Sequence, residues 1–323
     1  MAMTADRSSI FVGLGAGLAS AALVVSLAGG TTLAVPLSML SALPIAIAAL
    51  GWGRIAGLIA GGVSALVLGA LLGPFAALNH LVTGTVPTLV AVHLIGLSRA
   101  VPAEARPFGG PALEWYPLGR MLLALSLATA FGVIVVGVAS GYDTEAVAKG
   151  MSEAFFEMVE RGDRPLDPRI KAELEPVVRA VSVFLPAFLA ISRVLVTVVN
   201  LWIAAHVVRK SDRLARPWED LAAIELPRGS GIGFVAAFVL AFAPSPLGLL
   251  ALPFAGALFA AHFIVGLAVL HAATRGSGLR ILVLAAVYGL IFLFTFPALL
   301  VAVVGLLEPF LGFRRRGRAG TAG

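Results

Sequence analysis

Arg193 is the residue whose type and setting most demand chemistry. It is the one charge in the interior of any long apolar run, since every other Lys, Arg, Asp or Glu falls in a connecting segment or at a run's end. Fourteen residues separate it from Arg179 and sixteen from Arg209. Along a helix these are about 21 and 24 Å, too far for its side chain to reach either membrane interface. An arginine at the centre of a membrane helix costs roughly 2.5–3.5 kcal/mol, so something must offset it. Thr197 lies one turn on, Asn200 seven residues on shares nearly the same face, and His93 sits deep in another run. These four are substrate-binding candidates: Arg193 with Thr197 and Asn200 would form a polar cavity that meets an anionic or carbonyl-bearing ligand, and His93 would line a polar cavity or serve as a hydrogen-bonded structural histidine. The structural alternative is that Arg193 caps broken backbone near Pro186, Pro87 or another kinked span, or pairs with an outer acid through a wet crevice.

Catalytic chemistry finds no matching set, so no catalytic residue, cofactor or metal is expected and the protein reads as a non-enzyme. There is no Cys, hence no thiolate nucleophile, disulfide framework or thiolate metal site. The five histidines, His80, His93, His206, His262 and His271, form no HExxH and no pair at ligand spacing. His80, His206 and His271 fall near span ends, where an interfacial role is usual. His93 and His262 lie deeper, as cavity-lining groups or hydrogen-bonded structural ones. Gly13-Leu14-Gly15 follows no strand and is not a dinucleotide loop. No ATP-hydrolysing site is present, so active transport would need a separate energising partner.

Small residues make a second pattern. Gly53, Gly57, Gly61, Ala65 and Gly69 fall every four residues, and Gly13, Gly17 and Ala21 do the same earlier in the chain. At this spacing they form smooth stripes that let membrane helices approach closely. The stripes serve internal helix packing or the docking of a second membrane subunit.

The elements that must position these residues are membrane helices. Hydrophobic residues make up 59% of the 323, and charged ones 12%, half of what a soluble surface carries. That balance argues against a soluble enzyme, a nucleic-acid partner or a disordered chain. Nine apolar runs can be marked: Ile10–Ala28, Leu33–Leu50, Ile55–Leu72, Ala76–Leu97, Tyr116–Ala139, Val181–Val208, Gly231–Phe242, Leu247–Ala273 and Ile281–Leu307. The fold class is therefore an all-α, polytopic transmembrane bundle of eight to ten spans in the lipid bilayer. The first run reads as a retained helix, being long for a signal peptide.

Charge sets the orientation. With the N-terminus cytoplasmic, inner segments hold 16 of the 23 basic residues against 7 acidic ones, while the outer 140–180 loop holds 6 basic and 9 acidic. That is the positive-inside pattern. Nine crossings would leave the Arg314–Arg318 cluster outside, so 281–313, with Pro297 in its middle, is either one span or a hairpin returning the tail inward. The chain divides into a six-helix membrane domain (1–208), an interfacial linker (209–230) anchored by Trp218, C-terminal membrane helices (231–313) and a basic tail (314–323). Within the outer loop, Val147, Met151, Ala154, Phe155 and Met158 recur at helical spacing opposite charged residues. That helix is a lid over the outer mouth or a surface helix on span ends. Asp167-Pro168 reads as an N-cap with Pro at the first helical position of a helix that continues into the sixth span.

Several short motifs, in order, resemble the YybS-like family of uncharacterised bacterial polytopic membrane proteins. They are Ala42-Leu43-Pro44-Ile45 with Gly51-Trp52-Gly53, Arg216-Pro217-Trp218 with Leu226-Pro227, Gly266-Leu267-Ala268-Val269, and Leu306-Leu307-Glu308 with Phe313-Arg314. That family looks distantly similar to substrate-binding subunits of energy-coupling-factor transporters. The resemblance implies a multi-pass protein of the bacterial inner membrane, with a ligand cavity near the outer side. It also implies a small-residue face on the first helix that meets a transmembrane or ATPase partner subunit. The extra C-terminal spans depart from that plan. The resulting expectation is a solute-binding or transport component with a small anionic ligand; the competing one is a non-transporting scaffold of envelope or division complexes.

Overall fold

The computed structural model describes residues 7–102, 112–160 and 168–314. Apolar composition over long uninterrupted stretches makes helices here, because inside a bilayer every backbone N–H and C=O must be satisfied within its own segment. Seven helical segments among the described residues are long and apolar enough to cross a membrane, and three shorter apolar helices accompany them.

In chain order the helices are α1 (Arg7–Val25), α2 (Ala34–Met39), α3 (Ala42–Trp52), α4 (Arg54–Leu72), α5 (Pro74–His80), α6 (Val86–Ile95) and α7 (Leu118–Ser140). They continue with α8 (Thr144–Glu160), α9 (Pro168–Lys210), α10 (Gly229–Leu240), α11 (Leu247–Ala273), α12 (Arg280–Leu293) and α13 (Phe296–Leu311). Three of the expected runs are broken, the ninth into α12 and α13. The second splits into α2 and α3, and the fourth into α5 and α6, joined by a π-helical turn over Leu81–Thr85. A short antiparallel ribbon, absent from the sequence reading, pairs Ser98–Ala100 with Leu113–Trp115 and is pinned by the Arg99–Glu114 ion pair at 2.6 Å.

Packing runs through small residues, and the large apolar side chains face outward. Phe11, Leu66, Ile281 and Phe292 are widely exposed, as befits a lipid-facing surface. The buried set is dominated by alanines such as Ala46, Ala60, Ala190, Ala204 and Ala257. Gly13 and Gly17 let α1 lie directly on α4: a Cβ on Gly17 would stand 2.6 Å from the Ala60 carbonyl oxygen, and one on Gly13 2.8 Å from that of Ala56. Gly57 and Gly61 face the other way, onto Ala49 with Leu89 and onto Thr85, and Gly69 meets Ala77 at 3.5 Å. Gly53, with φ at +91°, forms the corner between α3 and α4 and has open space around its Cα. The first-helix stripe is therefore consumed inside the molecule. Because Gly13, Gly17 and Ala21 are buried, that face is not presented to a second subunit.

The longest helix, α9, has 43 residues and so spans about 64 Å, twice a hydrocarbon core. It runs unbroken through Pro176 and Pro186, joining the outer segment to the sixth span as the sequence suggested. Asp167, the expected N-cap, lies outside the described residues. The amphipathic α8 packs along the outer turns of α9, held by the Arg179–Glu145 ion pair, by Lys171 over the Phe156 ring and by Ser182 donating to the Thr144 carbonyl at 3.2 Å.

The C-terminal stretch is a helical pair broken at Phe294-Thr295, just before Pro297, which takes an early position in α13. α13 packs on α11, where Gly266 and Gly305 bring the backbones together: Cβ atoms there would lie 1.9 Å from the Val301 and His262 carbonyl oxygens. After α13 the chain turns back to the linker. Arg314, side chain 7% exposed, pairs with Glu308, 5% exposed, at 2.9 Å and donates to the Ala222 carbonyl at 2.9 Å. Arg275 binds the linker's Asp220 at 2.5 Å. The ends of α11 and α13 thus gather against the linker that the charge pattern assigns to the inner side. The remaining tail basics, Arg315, Arg316 and Arg318, lie outside the described residues. Trp218 of the linker sits against His206, with the Arg209 guanidinium 4.3 Å from its ring centre.

Candidate functional site

Four segments that lie far apart in sequence enclose a cavity of about 430 Å³ around Arg193. α5 and the π-helical turn supply Phe75, Asn79 and Thr83. α7 supplies Val133 through Ser140, α9 supplies Pro186, Leu189 and Arg193, and α11 brings Pro246 to Pro253. These are the ends of α5, α7 and α11 that the charge pattern assigns to the outer side, packed against the middle of α9. The depth of the cavity follows from helix rise: Val133 lies seven residues below Ser140 on α7, about 10 Å.

Local sequence explains each wall. The π-helical turn sets Thr83 beside α7, where Gly132 allows contact so close that a Cβ would come 2.1 Å from the Val82 carbonyl oxygen. Such single π turns inside α-helices recur at functional sites. Gly256 brings α11 onto α9, with a would-be Cβ 2.3 Å from the Ala187 carbonyl oxygen. Side chains tilt toward a helix's N-terminus, which for α9 is the outer end. The Arg193 guanidinium is therefore carried outward into the cavity.

No hydrogen bond or ion pair among the described residues engages that guanidinium. Asn79 uses its backbone and side-chain oxygens on the Thr83 hydroxyl, at 2.7 and 3.4 Å, which leaves its amide NH2 for other work. At the mouth, the Tyr142 hydroxyl donates to the Ser182 carbonyl. Burial holds that phenol above its ordinary pKa, so it stays a donor. The walls between are apolar, and the lining contains no acid.

The four substrate-binding candidates are not together. Asn200 is buried and donates from its side-chain nitrogen to the Met39 carbonyl at 2.8 Å. It caps the broken backbone where α2 ends, the role first considered for Arg193. Thr197 is buried and lines neither cavity. His93 lines a different cavity of about 410 Å³ at the inner side, with Ser9, Trp52, Arg54 and Arg216. There its Nδ1 lies 3.4 Å from the Arg54 guanidinium. Arg216 itself is occupied, by Glu219 at 2.6 Å and by the Ile95 and Tyr116 carbonyls.

The sequence reading missed Asn79, Thr83, Ser140 and Tyr142, and it misplaced His80. Far from being interfacial, His80 is buried, and its Nε2 lies 3.3 Å from Ser20 Oγ and 3.2 Å from Ser64 Oγ. Both hydroxyls already donate to carbonyls, of Ser41 and Gly61, so Nε2 carries the proton and ties α5 to α1 and α4. His262, also buried, packs against Phe234 of α10. Groups of three or more His, Cys, Asp or Glu side chains do not occur among the described residues.

No curated protein and no solved structure matches the chain. Residues 18–308 match the family described as "Predicted membrane protein (DUF2232)". With most of its length covered and its fold a polytopic helical bundle, the chain belongs to this family of predicted membrane proteins.

Proposed function

We propose that the protein is a non-enzymatic solute-binding component of a bacterial inner-membrane transport system, with the outer cavity as its ligand site. The observation that carries this reading is Arg193, a guanidinium on a cavity of about 430 Å³ with no hydrogen-bonded or ionic protein partner among the described residues. A charge so placed in a membrane is costly unless an anion or water meets it. Ligand sites are concave and mostly apolar, with a few convergent polar groups, which describes this lining. The resemblance to the YybS-like family, and through it to substrate-binding subunits of energy-coupling-factor transporters, supports the same reading. So does the outer position of the cavity. A transmembrane or ATPase partner would supply energy, and it would dock on a face other than the glycine stripe of α1, which α4 occupies.

Native mass spectrometry of the protein purified in mild detergent tests this. The expected result is a retained small anionic molecule, absent from Arg193→Ala while that variant still inserts and elutes as a folded species. A ligand-free protein that carries envelope-assembly partners instead, unchanged by Arg193→Ala, would replace the reading with a scaffold.

A further inference from the structure

We infer that the outer cavity takes an amphipathic monocarboxylate, its carboxylate on Arg193 at the deep end and its apolar body along α7 and α11. This rests on the reading that the cavity is a ligand site and adds the ligand's chemical class.

Charge comes first. The residues lining the cavity include one cation, Arg193, and no Asp or Glu. A ligand that balances the site carries one negative charge. A dianion such as a phosphate monoester would bring a second charge with no cation on the lining to meet it, between walls that are otherwise apolar, which is unfavourable. Shape comes next. The planar guanidinium presents paired N–H groups that match both oxygens of a carboxylate. The Asn79 amide, whose oxygen is engaged by Thr83, offers a further N–H donor on the same lining.

The walls then set the rest of the molecule. Val133, Ile134, Leu189, Leu249 and Leu250 line the space. From Val133 to Ser140 it extends about 10 Å. A small inorganic anion would leave that apolar volume unfilled, whereas a carboxylate carrying an apolar body of about that length buries it. The polar groups Ser140 and Tyr142 lie at the outer end, away from the charged end of the ligand.

Four water-soluble probes sharing one body test the assignment by calorimetric titration of the purified full-length protein: phenylpropionate, phenylpropanol, phenylpropylamine and phenylpropyl phosphate. Phenylpropionate is expected to bind at least tenfold more tightly than the other three. Arg193→Gln should abolish that preference, and Arg193→Lys should restore part of it. Leu189→Trp, on the half-exposed wall a turn from Arg193, should weaken phenylpropionate at least tenfold in a protein of unchanged elution profile, and so keeps the test decisive where Arg193→Gln fails to fold. Equal binding of the alcohol, tighter binding of the phosphate, or indifference to Leu189→Trp would overturn the inference. If no probe binds but the native protein retains a neutral or cationic molecule, the cavity remains a ligand site and the monocarboxylate is wrong. If no probe binds and nothing is retained, both fail together.

Discussion

Replacing Gly17 with alanine probes the packing that builds the membrane bundle, and Gly15 supplies its control two residues away on the same helix. The added Cβ at position 17 would lie 2.6 Å from the Ala60 carbonyl oxygen and 2.7 Å from Val63 Cβ. Ordinary contact begins near 3.4 Å, so α1 and α4 must part by about 0.8 Å or slide. At position 15 nothing lies within 4 Å. Overpacking of a well-packed contact costs about 1–3 kcal/mol, against a gain of roughly 0.5–1 kcal/mol for alanine over glycine in a helix. Gly15→Ala keeps only the gain. The two variants should therefore differ by about 1–3 kcal/mol, or about 5- to 150-fold in the unfolding equilibrium. Titration with a denaturing detergent, followed by loss of the monodisperse elution peak, reads the difference: Gly17→Ala shifts to lower midpoint and Gly15→Ala does not. Equal midpoints, or a larger loss for Gly15→Ala, would refute the direct α1–α4 contact.

Other substitutions separate structural from ligand-binding roles. Asn200→Leu removes the donor that the Met39 carbonyl meets at the kink, a hydrogen bond worth about 0.5–1.5 kcal/mol; accumulation should fall while any ligand retained by the surviving protein is unchanged. Glu308→Ala removes the buried partner of Arg314 and leaves its guanidinium the Ala222 carbonyl and Glu225 at 3.7 Å, so the loss should fall below the roughly 3–5 kcal/mol of a fully broken buried pair; a double change of Glu308 and Arg314 to apolar residues should recover much of the lost thermal stability. Because the chain has no cysteine, single cysteines report topology cleanly. Ser211→Cys and Ser277→Cys should react with an impermeant maleimide only after the cytoplasmic side is opened, and Gly150→Cys should react on intact cells.

The membrane helices were legible because length and apolar composition are local properties, and α11 begins and ends where the hydropathy run does, at Leu247 and Ala273. Arg193 was legible for the same reason, as a charge where none is expected. Its companions were not. Asn200 shares a helical face with Arg193, but seven residues place it about 10 Å further along, where it meets the kink at Met39, and a kink in another helix leaves no mark on the α9 sequence. Thr83 reaches the cavity from a π-helical turn, which shifts the side-chain register and so escapes a 3.6-residue periodicity, and Asn79 sits one turn before it at the end of α5. Close backbone approaches at Gly119, Gly132, Gly256, Gly266 and Gly305 escaped notice because each is a single point of crossing and makes no stripe. The stripe that was noticed on α1 is real, yet periodicity alone does not say whether its partner lies in the same chain. His80 looked interfacial by position, and its hydroxyl partners come from two other helices.

Arg193 on a cavity open to the outer side can be tested directly by cysteine accessibility with charged reagents. Asn79→Cys and Ser140→Cys, both on the lining, would be exposed on intact cells to anionic and cationic methanethiosulfonates of similar size. Both positions should react from outside, with the anionic reagent favoured at position 79 and that preference lost when Arg193→Gln is added. Reaction of Asn79→Cys only from the cytoplasmic side, or a charge preference that Arg193→Gln leaves intact, would contradict that placement.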